Sequence, residues 1–132
     1  MSRFVICPDV AVRLAADDTQ ISSAHQLLAP TLLRSQLLSA LYRAVRAGTM
    51  TKRDADRHPR FVRALRIRLL GDATLQGLAW RLADQLGWPD TLNAEYVALT
   101  RLHGDAFVTL DPELADAAKD VVTIAPVDAL GR

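Results

Sequence analysis

Apolar positions along this chain come in two forms: short unbroken runs, and longer stretches where they recur every three or four residues. FVICPDVAV (4–12) begins with the first form. Phe4 to Cys7 is apolar at every position, as a strand buried on both faces would be. Asp9 suits a cap for the helix that follows, in which Val10, Val12 and Leu14 lead into Ala15 and Ala16. DDTQISS (17–23) reads as a loop, and HQLLAP (25–30) as a brief segment stopped by Pro30. In TLLRSQLLSALYRAVRAG, Leu33, Leu37, Ala40, Leu41 and Ala44 repeat at helical spacing and Gly48 closes the helix. Thr49 to Arg66 is a second helical region, interrupted near Pro59.

The second half repeats the alternation. IRLL (67–70) suits a strand. Asp72 then caps ATLQGLAWRLADQLG, whose Leu75, Leu78, Ala79, Leu82, Ala83 and Leu86 form one apolar stripe ending at Gly87. Pro89 and Asp90 begin a helix that runs through Leu102 to Gly104; DAFVTLD is a strand, PELADAAKD a short helix and VVTIAPV a last strand. The predicted order is β, α, α, α, β, α, α, β, α, β, with buried strands and no hairpin turns. That pattern implies an α/β protein: a three-layer sandwich with a central, mainly parallel sheet flanked by helices. Nothing along residues 1–132 is a repeat or a linker, so one domain is expected.

Composition narrows the class. Half of the 132 residues are apolar, enough for a core without metal or disulfide staples, and the one cysteine allows no internal disulfide. No apolar stretch has the length of a membrane span or of a signal-peptide core, so a cytoplasmic globular protein without membrane contact is expected.

Charge adds a local feature to a near-neutral whole. Between Arg43 and Arg68 lie nine basic residues (Arg43, Arg46, Lys52, Arg53, Arg57, Arg60, Arg63, Arg66, Arg68) and only Asp54 and Asp56 as acids. The segment is therefore +7 and the remainder −6. Two readings stand side by side: a surface facing a polyanion such as RNA, or a solvated helix pair whose arginines pair with acids elsewhere.

Sites in open parallel sheets form beyond the carboxyl ends of the strands. Three phrases should meet there: CPD after the first strand, T-L-D (Thr109, Asp111) after the strand FV, and the helix start LNAEYVAL. With FVICPDVAVRL, LLAPTLLRSQLLSAL, LAWRLADQLG and TLNAEYVALTRLHGDAFVTLD in this order, nearly the whole chain resembles a PIN domain, most closely the VapC-like toxins of bacterial toxin–antitoxin pairs.

The resemblance implies a four-acid site that holds magnesium or manganese and activates water to cut RNA, a homodimer, and an antitoxin-like protein partner. Hard divalent cations require oxygen ligands and compensating negative charge. In this chain, however, the family's first aspartate falls on Cys7, its helical glutamate on Gln36 and its next aspartate on Asn93. Only Asp111, two residues after Thr109, is retained, and the small hydroxyl residue that follows the first aspartate falls on Asp9. Gln and Asn preserve shape but not charge. A thiol suits zinc or copper better than magnesium, yet none of His25, His58 and His103 lies in a matching phrase to complete a zinc site.

The expectation is thus a PIN-like protein with a depleted metal site, impaired as a nuclease, which acts by binding RNA or a protein partner. RNA would lie along Arg43, Arg46, Lys52, Arg53, Arg57, Arg60 and Arg63. The alternative is an active endoribonuclease that uses Asp9 and Asp111 as its metal ligands, helped by amide ligands at Gln36 and Asn93. Read without the resemblance, each residue has a plainer role: Cys7 a small buried apolar group, Gln36 a boundary residue, Asn93 a helix-start residue, and Asp9 and Asp111 helix caps. An unrelated α/β interaction module is the third reading.

Overall fold

A computed structural model describes residues 2–17 and 19–132 of the chain. The loop expected over 17–23 includes Asp18, which lies outside the described residues. Four strands, β1 (Ser2–Ile6), β2 (His25–Pro30), β3 (Arg68–Leu70) and β4 (Ala106–Val108), form one sheet in the order β3-β2-β1-β4. All three pairings are parallel, with Phe4 beside Leu27 and Ala106, and Leu28 beside Val5 and Arg68. The helices are α1 (Pro8–Ala16), α2 (Leu33–Arg46), α3 (Lys52–Ala64), α4 (Ala73–Leu86), α5 (Leu92–His103) and α6 (Pro112–Ala118); a 3-10 turn spans Val127–Gly131.

The sheet alternates as its period of two demands. Phe4, Ile6, Leu27, Ala106 and Val108 belong to one buried cluster, with Val10 and Leu14 of α1 and Leu37 and Leu41 of α2. Val5, Leu28 and Phe107 belong to the other, with Leu75, Ala79 and Leu82 of α4 and Tyr96, Val97 and Leu99 of α5. Two cores share one sheet, which gives the expected α/β sandwich.

Several local expectations hold. Asp72 caps α4 by accepting from Leu75 N at 2.8 Å, and Gly87 ends that helix at φ 70°, a left-handed conformation that glycine adopts without steric cost. Asp111 caps α6, accepting from Glu113 N and Leu114 N at 3.0 and 3.3 Å. Gly104 ends α5; a Cβ there would lie 3.0 Å from a Val5 methyl group, a crowded contact between the sheet and the helix end that glycine avoids.

Others need correction. HQLLAP is a strand that pairs with both β1 and β3. Pro30 stands at its last position, where a missing N–H costs little, and Leu27–Pro30 are all buried. VVTIAPV is no strand: it makes one parallel bridge, Phe107 to Ile124, before Pro126 turns the chain away. Pro59 does not interrupt α3, which is continuous from the Thr51 cap, with Asp54 N donating to its hydroxyl, to Ala64; one lost backbone bond is outweighed by docking of the face that carries Ala55, His58 and Val62. The helix expected from Pro89 begins at Leu92. The observed order is therefore β, α, β, α, α, β, α, α, β, α. Among the described residues, no helix is long and apolar enough to cross a membrane.

Candidate functional site

The chain moves from β1 to β2 on one side and reaches β4 on the other, so the strand order reverses beside β1. A crevice at such a switch point, beyond the carboxyl ends of the strands, is where open α/β sheets bind ligands. A cleft of about 500 Å³ lies there, lined by Cys7, Pro8 and Asp9 after β1, Ser35, Gln36, Ser39, Ala40 and Arg43 of α2, Leu92 and Asn93 of α5, and Thr109, Asp111 and Leu114 after β4. All six residues singled out from the sequence, Cys7, Asp9, Gln36, Asn93, Thr109 and Asp111, thus meet in one place. Asp90 and Glu95, the acids nearest Asn93 in sequence, do not line it.

The end of the first strand differs in detail from expectation. β1 stops at Ile6, and Cys7 itself is the N-cap residue of α1, in extended conformation and with no side-chain capping bond. Asp9 is therefore not the cap: it is the second residue of the helix, after Pro8 at the first position, which proline's fixed φ favours. Its carboxylate accepts from Val10 N at 2.7 Å and from Leu110 N, in the loop after β4, at 3.3 Å. That second bond fastens the loop after β4 to the start of α1. Within the loop, Asp111 N donates to the Thr109 hydroxyl at 3.1 Å.

Electrostatics follow from this crowding. Removal from water pushes the Cys7 thiol pKa far above its ordinary value; Asp9 and Asp111 add to the rise and the Thr109 hydroxyl opposes it. Cys7 is therefore a protonated, buried thiol, poorly suited to be a nucleophile or a metal ligand. Asp9 is raised as well, by desolvation first and by Asp111 more weakly, against the lowering effect of the Val10 and Leu110 N–H groups. On α2, Gln36 Oε1 accepts at 2.7 Å from the hydroxyl of buried Tyr96 of α5.

These donors do not fit a magnesium or manganese centre. Such an ion needs several oxygen ligands and compensating negative charge. Of the described residues, only Asp9 and Asp111 bring carboxylates to the cleft, and the Gln36 amide oxygen, which carries no charge, accepts from Tyr96. Among the described residues no three His, Cys, Asp or Glu side chains gather as a metal-holding group.

The basic residues divide. Arg43 lines the cleft, with one guanidinium nitrogen 3.1 Å from the Ser39 hydroxyl. Lys52, Arg53, Arg57, Arg60 and Arg63 lie at helical spacing on the outward side of α3, and Arg46 ends α2; all are exposed and none lines the cleft. Among the described residues, Lys52 alone of the nine basic residues in 43–68 makes an ion pair, with Asp56. The pairing of these arginines with distant acids is thus not what the described residues display. Arg57 instead borders a hollow between α1 and α3, with His58, Phe61 and Met50. Sequence reasoning missed two participants, Tyr96 and Arg43 as a cleft residue; the spacing Gln36, Ser39, Arg43 along one helical face was the available signal for the second.

The fold and the cleft together define an α/β protein with a crevice at the switch point of a parallel sheet. No family model and no curated protein matches the chain. Among solved structures it is similar to the crystal structure of PAE2754 from Pyrobaculum aerophilum, with 24% identity, 98% of this chain and 92% of that chain covered, and a TM-score of 0.77. At this identity the likeness speaks to the fold alone.

Proposed function

We propose that the protein is a PIN-like, VapC-like domain that binds RNA in the cleft at the end of β1 and does not cut it efficiently. The observation that carries this reading is the make-up of the cleft: the four positions where the family places acids meet there, and only Asp111 is acidic. Hydrolysis of a phosphodiester by that route requires charge that Cys7, Gln36 and Asn93 do not supply. Binding requires less, and the unpaired cations of α2 and α3 provide the attraction, with Arg43 inside the cleft. In this reading the protein acts in the cytoplasm, as a homodimer, and an antitoxin-like peptide would compete with RNA for the cleft.

A metal-dependent endoribonuclease using Asp9 and Asp111 is the competing reading, favoured by the closeness that lets Asp111 raise the Asp9 pKa. One experiment separates them. Labelled RNA, structured and unstructured, is incubated with the protein in magnesium and in manganese, and both binding and cleavage are followed. The proposal expects binding with negligible cleavage, and metal-dependent cleavage only after Cys7→Asp, Gln36→Glu and Asn93→Asp are combined. Robust wild-type turnover that disappears in Asp111→Ala would establish the nuclease instead.

A further inference from the structure

We propose that the cleft takes a phosphate oxygen of RNA directly, on the Gln36 amide nitrogen and the Arg43 guanidinium, with no divalent cation between protein and ligand. This rests on the RNA-binding reading above and specifies how the cleft achieves it.

Tyr96 fixes the polarity of Gln36. The tyrosine is 1% exposed, and the only side-chain hydrogen bond its hydroxyl makes among the described residues is the 2.7 Å one to Gln36 Oε1. A buried hydroxyl needs an acceptor for its proton. Turning the amide around would put N–H against that proton and leave it with none. The oxygen of Gln36 therefore faces the protein, and Nε2, with two N–H donors, is the branch left over. Nε2 has no hydrogen-bond partner among the described residues and is absent from the buried atoms that lack one, so it is open to the cleft that Gln36 lines.

A carboxylate in the same seat would also accept from Tyr96, but its second oxygen would point outward as an acceptor, ready for a cation. The amide inverts that outward group. What the position offers is a donor, matched to an anionic oxygen and mismatched to a metal ion. Two helical turns further along α2, Arg43 lines the same cleft. One of its nitrogens engages Ser39, and the remaining N–H groups of the fork are available for the planar contact that guanidinium makes with phosphate. The donors thus form one wall.

Asp9 and Asp111 line the same cleft from the starts of α1 and α6 and repel an anion. Their backbone N–H partners offset part of that repulsion without removing it. This opposition makes the proposal easy to distinguish from its rival. If a metal ion bridged protein and RNA, removing the Asp9 charge would weaken binding. With direct contact, removing it strengthens binding.

The test measures fluorescence anisotropy of a labelled single-stranded RNA at constant ionic strength, in a chelator and in manganese, using the full chain. Expected are wild-type Kd values that agree within about twofold between the two conditions, and an Asp9→Asn variant that binds severalfold tighter. Gln36→Glu should weaken binding roughly tenfold in the chelator, as expected for exchanging a donor for a like charge, and recover partly in manganese. Arg43→Gln, an exposed-site change that leaves the Tyr96 bond intact, should weaken binding in both conditions equally and guards against a folding artefact in Gln36→Glu. Wild-type binding that strengthens tenfold or more in manganese, or an Asp9→Asn variant that binds worse, would overturn the direct contact and leave RNA binding standing. Absence of RNA binding in both conditions would overturn the RNA-binding reading and this inference together.

Discussion

The hydroxyl of Tyr96 on α5 donates to Oε1 of Gln36 on α2 at 2.7 Å, joining the two helices that flank the cleft across sixty residues of sequence. A hydrogen bond of this kind contributes about 1 kcal/mol net. Tyr96→Phe should lower stability by about that amount while retaining the packed ring. In a double-mutant cycle with Gln36→Met, followed by urea denaturation, the two changes should be non-additive by a similar amount. Simple additivity would mean that the bond does not hold the helices together.

The imidazole of His58 is 5% exposed and its Nδ1 has no hydrogen-bond partner among the described residues. Burial lowers its pKa below the ordinary 6.5, against the smaller raising effect of Asp54 one turn earlier. The unfolded chain takes up the proton near 6.5 and the folded chain only at lower pH, so stability should decline as pH falls through 6.5 toward the folded value. Thermal unfolding between pH 7.5 and 5 should show this decline in the native protein and a flatter profile in His58→Leu. Equal slopes would rule out His58 as the titrating group.

Asp72 should matter for stability and not for the cleft. Its side chain satisfies Leu75 N at the start of α4, and removing such a cap costs about 1 kcal/mol. Asp72→Ala should shift the denaturation midpoint by that amount and leave RNA affinity unchanged. A loss of affinity comparable to that of Arg43→Gln would show that α4 communicates with the site.

The outward cations of α3 are expected to act through screening-sensitive attraction. For single-stranded RNA, each phosphate neutralised contributes about 0.7 to the slope of log affinity against log salt. Replacing Arg60 and Arg63 by alanine should reduce that slope by about 1.4 if both contact phosphates. An unchanged slope would place RNA away from α3.

Much of this was legible because local chemistry and global fold agree. Asp72, Gly87, Asp111 and Pro112 mark helix ends by capping and backbone preference, which act within a few residues. The all-apolar runs FVI and AFV became strands buried on both faces, as parallel sheets require. HQLLAP escaped because its strand nature is conferred by neighbours: Leu28 is held between Val5 and Arg68, residues distant in sequence, and a terminal proline argues locally against it. VVTIAPV failed for the converse reason, a β-like composition with only Phe107 to pair with. The convergence of Cys7, Asn93 and Asp111 was inferable from strand ends and a helix start, whereas Gln36 was pointed out only by the resemblance. The orientation of the Gln36 amide was not, since it depends on a hydroxyl sixty residues away.

The outer strands of the sheet, β3 and β4, are each three residues long, and the open side of β4 is met by Ile124. Edges so short offer a passing chain almost no backbone to zip onto, and Arg68 charges the first position of β3. Two copies of this protein therefore have little means of joining sheet to sheet. Their meeting would fall to helix surfaces, where Leu38 and Tyr42 of α2 and Trp80 of α4 already stand in water. Leu38 and Tyr42 share α2 with Gln36 and Arg43, so a contact formed on that helix would sit on the same element as the cleft.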